Sequence, residues 1–235
     1  MHATYPGSND LRQFLIGAGM VTTTLTEAQS FMDEANFIGR AIEEWEKDTG
    51  YIPFLADDAD VTIYYNPRAV DYPMGRAPML DFASNGGPGG IVSVTSLTVG
   101  VTSTSTGTAL TQNTHFSLRP RNAALNKQPY TYLEFLYGAY TGLGTLGSYG
   151  DSIVLVGKRG FWTQISEMAW NGILCKAAEL MTPVLAKKIT DGIIEWQDDD
   201  VRVKMGADSL SAHRDTWCAQ YAGAVGKIPR RFRLS

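Results

Sequence analysis

Helical periodicity is absent from Tyr51 to Gly160 and present on both sides of that stretch. This switch of period constrains the fold more than any other feature, because helices and strands turn their apolar side chains to one face at different spacings. Within it lie five runs rich in Val, Ile, Thr and Tyr: VTIYY (61–65), IVSVTSLTVGVTS (91–103), ALTQNTHFSLRP (109–120), YTYLEFLY (130–137) and SIVLVG (152–157). β-Branched and aromatic residues suit a pleated, half-buried surface, so each run predicts a strand. Turn-forming segments separate the runs, among them NGGPGG (85–90), STSTGT (103–108) and TGLGTLGSYG (141–150). Consecutive strands joined by short loops favour an antiparallel meander or a small barrel.

The flanks read as helices. Ser8 or Asn9 can cap the first, Leu11, Phe14 and Leu15 form its apolar side, and Gly17 to Gly19 stop it. Thr24 and Glu27 make a capping box for the second. Its stripe of Ala28, Phe31, Ala35, Ile38, Ile42 and Trp45 sustains the helical spacing up to Gly50, a C-terminal cap. Glu34, Arg40, Glu43, Glu44 and Lys47 read as its solvated face. After the β-rich stretch, Thr163 caps a helix with Ile165, Ala169, Ile173, Ala177 and Leu180 on one side. Thr182 and Pro183 end that helix and open another, because proline suits the first helical position; it runs to about Thr190 and Gly192 breaks it. GIIEWQDDDVRVKMG (192–206) alternates as a hairpin, and a last helix places Leu210, Arg214, Trp217 and Tyr221 in line. The expectation is an α+β protein. A helical bundle from residues 1–50 and 161–225 is interrupted by an antiparallel β region at 51–160, and a flexible basic tail follows at 226–235.

Composition narrows the function classes. Charged residues make up 19% of the chain and hydrophobic ones 44%, so much surface is neutral, which favours an assembly subunit. No apolar run approaches the roughly 18 residues of a membrane span, and the N-terminus lacks the pattern of a secretory signal. Cys175 and Cys218 are too few for a disulfide framework and are expected to be buried thiols in a reducing cytoplasm. A pI near 5.4 argues against a general nucleic-acid coat.

Candidate chemistry is sparse. NGGPGG lacks the Gly-Lys-Ser/Thr of a phosphate loop and precedes β-branched residues, so it reads as a flexible hairpin tip. Asp198 to Asp200 point in different directions on a turn and have no second acidic cluster to complete an oxygen cage, and Asp57, Asp58 and Asp60 read the same way. His2, His115 and His213 have no metal-ligand spacing, and neither cysteine has a Cys or His partner nearby. No nucleophile-elbow or zinc-protease signature occurs. No catalytic residue, metal or cofactor is assigned. Trp45, Trp162, Trp170, Trp196 and Trp217 all avoid the β-rich stretch. They read as core or, for Trp162, Trp170 and Trp217 together with Tyr221, as contacts between subunits.

The last nine residues hold Lys227, Arg230, Arg231 and Arg233, without which the formal charge would go from −4 to −8. Four charges are few for a grip on DNA, and a solvated end is the default for a terminus. Ile228, Phe232 and Leu234 interleave with the charges, a pattern that suits a docking peptide better.

Three stretches carry a resemblance in their order. AIEEWEKDTGYIPF (41–54) is a helix ending in Ile-Glu…Thr-Gly-x-x-x-Phe. HFSLRPRNAALNKQPYTYLEF (115–135) is a strand-Pro-turn-Pro-strand passage. IVLVGKRGFWTQISEMAWNGILCKAAEL (153–180) is a strand, a Gly-x-x-Gly-aromatic turn and a helix. Together they resemble the head–tail connector (adaptor) proteins of tailed bacteriophages over most of residues 9–182. The chain departs from that pattern in a Ser/Thr/Gly-rich excursion at 84–108 and in an extended segment after Pro183. The resemblance implies a structural, non-enzymatic subunit of a ring, usually dodecameric, at the head–tail interface of the virion, formed in the host cytoplasm. Such a ring sits under the portal protein, extends the channel for double-stranded DNA without reading its sequence, and carries a neck or tail-completion protein. It also implies a C-terminal segment that reaches the portal. Here that is Ile228, Pro229, Arg230, Arg231, Phe232, Arg233 and Leu234, with the arginines pairing carboxylates and the apolar residues filling pockets. An acidic body is consistent with a channel that repels sliding DNA. The alternatives are a tail terminator or stopper ring, which would be β-dominated, and, in another class, a carbohydrate-binding or hydrolytic β domain.

Overall fold

The computed structural model describes residues 1–19, 36–72, 77–136, 152–190, 197–198, 201–202 and 207–229. The Thr24–Glu27 capping box, Ala28, Phe31, Glu34 and Ala35, the 141–150 loop, Gly192, Trp196, the tip of the acidic hairpin and the arm from Arg230 lie outside the described residues. The protein is α+β. Its described residues divide into two compact units, one of Met1–Thr49 with Ile165–Pro229 and one of Gly50–Gln164.

The first unit contains helices α1 (Ser8–Gly17), α2 (Phe37–Thr49), α3 (Glu167–Thr190) and α4 (Ala207–Lys227), with a short hairpin of β9 (Gln197–Asp198) and β10 (Val201–Arg202). In α1, Leu11 and Leu15 are buried, and the Gly7 N–H donates to Asp10 Oδ2 at 2.8 Å. The cap therefore falls one residue before the expected Ser8. Asn36 has φ 47° and its Oδ1 accepts from the Gly39 N–H at 3.1 Å. A left-handed residue cannot continue an α-helix, so α2 starts at Phe37, and the expected N-terminal part from Thr24 lies outside the described residues. Phe37, Ile38, Ala41, Trp45 and Thr49 form its buried side, and Gly50 at φ 77° ends it as expected.

Helix α3 differs from expectation at its start and at its length. Its N-terminal partner is Ser166, whose Oγ accepts from the Ala169 N–H at 3.3 Å, and not Thr163. The helix also continues through Thr182 and Pro183 to Thr190. Pro183 deletes one helical N–H, and the Thr182 hydroxyl donates back to the Ala178 carbonyl at 3.0 Å. The helix is buried on most sides, at Ala169, Gly172 to Cys175, Ala177, Ala178 and Met181, because α1, α2 and α4 all pack on it. On α4, Leu210, Trp217, Tyr221 and Ala224 are buried while Arg214 is exposed. The helix runs past Gly226 to Lys227, so the expected start of the tail at 226 lies inside it.

The second unit is built from two four-stranded antiparallel sheets. One has the order β1 (Val61–Tyr65), β8 (Ile153–Arg159), β4 (Ile91–Val99), β5 (Thr108–Leu110). The other has the order β2 (Val70–Asp71), β3 (Met79–Asp81), β7 (Tyr132–Phe135), β6 (Phe116–Arg119). Both contribute to one core that includes Tyr65, Leu80, Leu97, Phe116, Leu133, Phe135, Ile153 and Leu155. The first and last strands of the unit, β1 and β8, pair with each other. The chain thus enters and leaves this unit side by side, the arrangement that lets a domain be inserted within another.

The run ALTQNTHFSLRP is two strands, not one. β5 and β6 join different sheets and the chain turns between them at Thr111–His115, where Thr111 N–H donates to His115 Nδ1 at 2.9 Å. NGGPGG is likewise no hairpin tip. It connects β3 to β4, which belong to different sheets, and Pro88, Gly89 and Gly90 are buried. Gly89 N–H donates to Phe82 O at 3.1 Å and Gly90 O accepts from Gly160 N–H at 3.1 Å. Phe161 and Trp162 belong with this unit too, rather than with the helices from residue 161: Phe161 stacks on Phe54 at 4.8 Å and the Trp162 carbonyl accepts from Ala56 N–H at 2.9 Å.

Candidate functional site

Three helices of the first unit meet at a polar cluster centred on Lys176. Its Nζ donates to Glu44 Oε2 on α2 at 2.8 Å and to Glu179 Oε2 at 3.0 Å, and lies 5.1 Å from the ring centroid of Tyr221 on α4. The Tyr221 hydroxyl donates to Asp48 Oδ2 at 2.8 Å. Beneath the cluster, Trp45 and Tyr221 meet edge to face at 5.9 Å. Glu44, expected on a solvated face, keeps a side chain 43% exposed while pairing with a lysine whose side chain is 14% exposed. The one sequence signal for this was that Glu44 and Asp48 stand four apart on a single helix line.

The environment holds protons on several of these groups. Burial pushes the Cys175 thiol up to about 11, and its Sγ donates to Gln220 Oε1 at 3.1 Å. Burial and, after it, the hydrogen bond to Asp48 push the Tyr221 phenol above its ordinary range. For Lys176, burial opposes the charge, but the hydrogen bonds to Glu44 and Glu179 outweigh it and hold the ammonium above its usual value. These groups are partnered and proton-retaining, so the cluster ties α2, α3 and α4 together. All three pKa values are higher in the folded state, so folding binds protons in this range. The contribution of these groups to stability is accordingly full below about pH 8.5, the ordinary thiol value, and is lost as pH rises through the folded values. Urea midpoints at pH 8 and pH 10.5 should differ, with the lower one at pH 10.5; equal midpoints would contradict this assignment.

Trp217 and Tyr221, expected as contacts between subunits, are core residues at 3% and 7% exposure. Trp217 packs 6.1 Å from Phe14 and 5.7 Å from His213. Trp170 is half-buried with His2 stacked on it at 3.7 Å. Trp162 is half-buried in the β unit. Cys175 is buried as expected, whereas Cys218 is half-buried; neither is in a disulfide. Ile228, assigned to the docking segment, is 5% exposed, with its N–H donating to Val225 O at 3.1 Å. Its side chain is already used by its own chain. Pro229 is exposed, and Arg230 to Leu234 lie outside the described residues.

Asp57 binds Arg159 through both carboxylate oxygens, at 2.8 and 3.1 Å. Asp60 Oδ2 accepts from Thr95 Oγ1 at 2.5 Å. Among the described residues no group of three or more His, Cys, Asp and Glu is placed to hold a metal ion.

A groove of about 630 Å³ is walled by Thr62, Ile63 and Tyr64 of β1 together with Ile52, the 83–88 segment and Arg159. Ile52 and Tyr64 are 57% and 59% exposed. The alternation in VTIYY put Thr62 and Tyr64 on one face, but no local pattern reveals that β1 is an edge. No protein-family model, curated protein or solved structure matches the chain.

Proposed function

We propose that the protein is a structural head–tail connector of a tailed bacteriophage. It closes into a ring below the portal, passes double-stranded DNA without reading it, and offers a platform to a neck or tail-completion protein. The observation that carries this reading is the way the three resembling stretches fold. AIEEWEKDTGYIPF holds the C-terminal part of α2 and its Gly50 cap; HFSLRPRNAALNKQPYTYLEF is the antiparallel pair β6–β7 with Pro120 and Pro129 bounding its turn; the third stretch is β8, which includes Gly157, then Gly160 and the larger part of α3. The order of these local units along the chain is what supports the reading.

In this reading α1–α4 form the bundle core of a ring subunit, and the β unit is the elaboration that distinguishes this chain. A closed ring needs two different patches that meet head to tail. Among the described residues no helix is long and apolar enough to cross a membrane, and the proposed location is the virion. The resemblance sends the C-terminal arm to the portal; with Ile228 held by its own chain, that arm is Pro229–Leu234.

The eight strands among the described residues of the β unit favour a tail terminator or stopper ring instead. Both are tested by mixing the purified protein with purified portal and imaging the product by electron microscopy. The expected result is a ring seated coaxially on the portal. A six-fold ring that ignores the portal would favour the terminator reading, and a protein that stays monomeric beside portal would overturn both.

A further inference from the structure

We infer that the C-terminal arm of one subunit, Arg230–Ser235, adds as a strand to the open edge of β1 in a second copy, with Phe232 and Leu234 entering the groove beside Ile52 and Tyr64. This rests on the ring reading and redirects the arm from the portal to the neighbouring subunit.

Four strands stand at edges: β1 with five residues, β6 with four, β5 with three and β2 with two. Edge strands expose unpaired backbone groups, and proteins blunt them by shortness, lysine, proline or a bulge. The short β2 and β5 need nothing more. β6 carries Arg119 and is followed directly by Pro120. β1 has none of these protections: it is the longest, its sequence VTIYY holds no charge or proline, and its register with β8 is regular along its whole length. No described strand pairs with the outer side of Val61–Tyr64. Two large apolar side chains, Ile52 and Tyr64, stand exposed in the same groove. An unprotected edge next to exposed apolar side chains is the acceptor geometry for strand addition.

The arm matches it as a donor. Arg231, Phe232, Arg233 and Leu234 alternate polar and apolar, the period of a strand with one buried face. Six residues extend to about 20 Å, enough to cover a five-residue strand at about 3.3 Å per residue. The apolar face, Phe232 and Leu234, faces the groove, and the arginines face outward. Near the start of β1, Arg159 is already paired with Asp57 and Lys158 Nζ donates to the Asp58 carbonyl, while the side chains of Asp58 and Asp60 are exposed. Charge is therefore a minor contributor, and the backbone ladder and the two apolar anchors supply the affinity. Because donor and acceptor are different surfaces, the contact is heterologous and propagates into a ring when the rotation closes.

The test uses two full-fold variants, one lacking residues 230–235 and one carrying Ile52→Asp with Tyr64→Lys, both at exposed positions. Sedimentation should show that wild type self-associates while each variant alone is a monomer, about 25.7 kDa for the whole chain. Mixed, the two should form a one-to-one heterodimer and nothing larger, since the pair retains one arm and one edge. Independently of any ring, a labelled peptide of residues 229–235 should bind the arm-deleted protein and lose about tenfold or more in affinity, some 1.4 kcal/mol, on the doubly substituted edge. Self-association that survives arm deletion overturns the inference. So does a mixture that stays monomeric, or a peptide indifferent to the edge. If arm deletion spares the ring but abolishes portal binding, the arm belongs to the portal; the inference fails and the connector reading stands.

Discussion

Trp45→Ala is expected to destabilise the helical unit by about 3–5 kcal/mol, the range for deleting a large buried aromatic. Trp45 has no solvent exposure, lies edge to face with Tyr221 at 5.9 Å, and fills the space over Gly172, where a Cβ would come within 2.8 Å of its ring. That glycine lets α2, α3 and α4 approach closely, so backbone collapse into the vacated volume is opposed by helices already in contact. The lost side chain also leaves the Lys176–Glu44–Asp48 cluster without its apolar floor. Urea unfolding followed by far-ultraviolet circular dichroism checks it. A loss below about 1 kcal/mol, within the range of surface substitutions and mild repacking, would mean that the helices repack freely and that Trp45 does not set their spacing.

Gly160→Ala is expected to cost about 3 kcal/mol or more in the β unit, adding roughly 1–3 kcal/mol of backbone strain to roughly 1–3 kcal/mol of overpacking. Gly160 has φ 133°, outside the range that side chains tolerate, and a Cβ there would stand 2.5 Å from Ala56 Cα and 2.8 Å from Ala56 N. Both obstacles are backbone and cannot rotate away. The other glycine of the Gly-x-x-Gly motif, Gly157, is not in a turn as expected but inside β8, where it sits against the Ser93 carbonyl beside an irregularity in the β4–β8 register. The motif is thus explained by two close backbone approaches. Trp162, two residues on, should report the change by fluorescence, with an earlier unfolding midpoint in urea. An unchanged midpoint would show that the 54–57 segment is free to move away from the turn.

Much of the β unit was legible because its strands announce themselves locally. VTIYY is β1 over the expected residues, and IVSVTSLTV, YLEF and SIVLVG contain β4, β7 and most of β8. The misses share a physical cause. β2 and β3 have two and three residues, too few for a period. ALTQNTHFSLRP carries uniform β propensity, and nothing local says that its halves pair with different partners. NGGPGG has the composition of a surface loop, yet its glycines serve close packing, which composition cannot separate from flexibility. The site was less legible still. Trp217 and Tyr221 carry the same residue signals whether they face a core or a neighbour, and Lys176 becomes notable only once Glu44 and Tyr221 arrive from other helices.

By itself the sequence determined the α+β order of elements, the glycine that ends α2, the strand alternation of β1 and the alternating basic arm. Each of these depends on stereochemistry or period within a few residues. The tertiary structure decided which sheet each strand joins, which strands stand at the edges among the described residues, that Ile228 is spent inside its own chain, and that the aromatic candidates on α4 are core. These depend on partners remote in the chain: Tyr221 finds Asp48 across 173 residues, and β1 finds β8 by closing the whole β unit on itself. No local pattern encodes a contact whose two halves are individually ordinary.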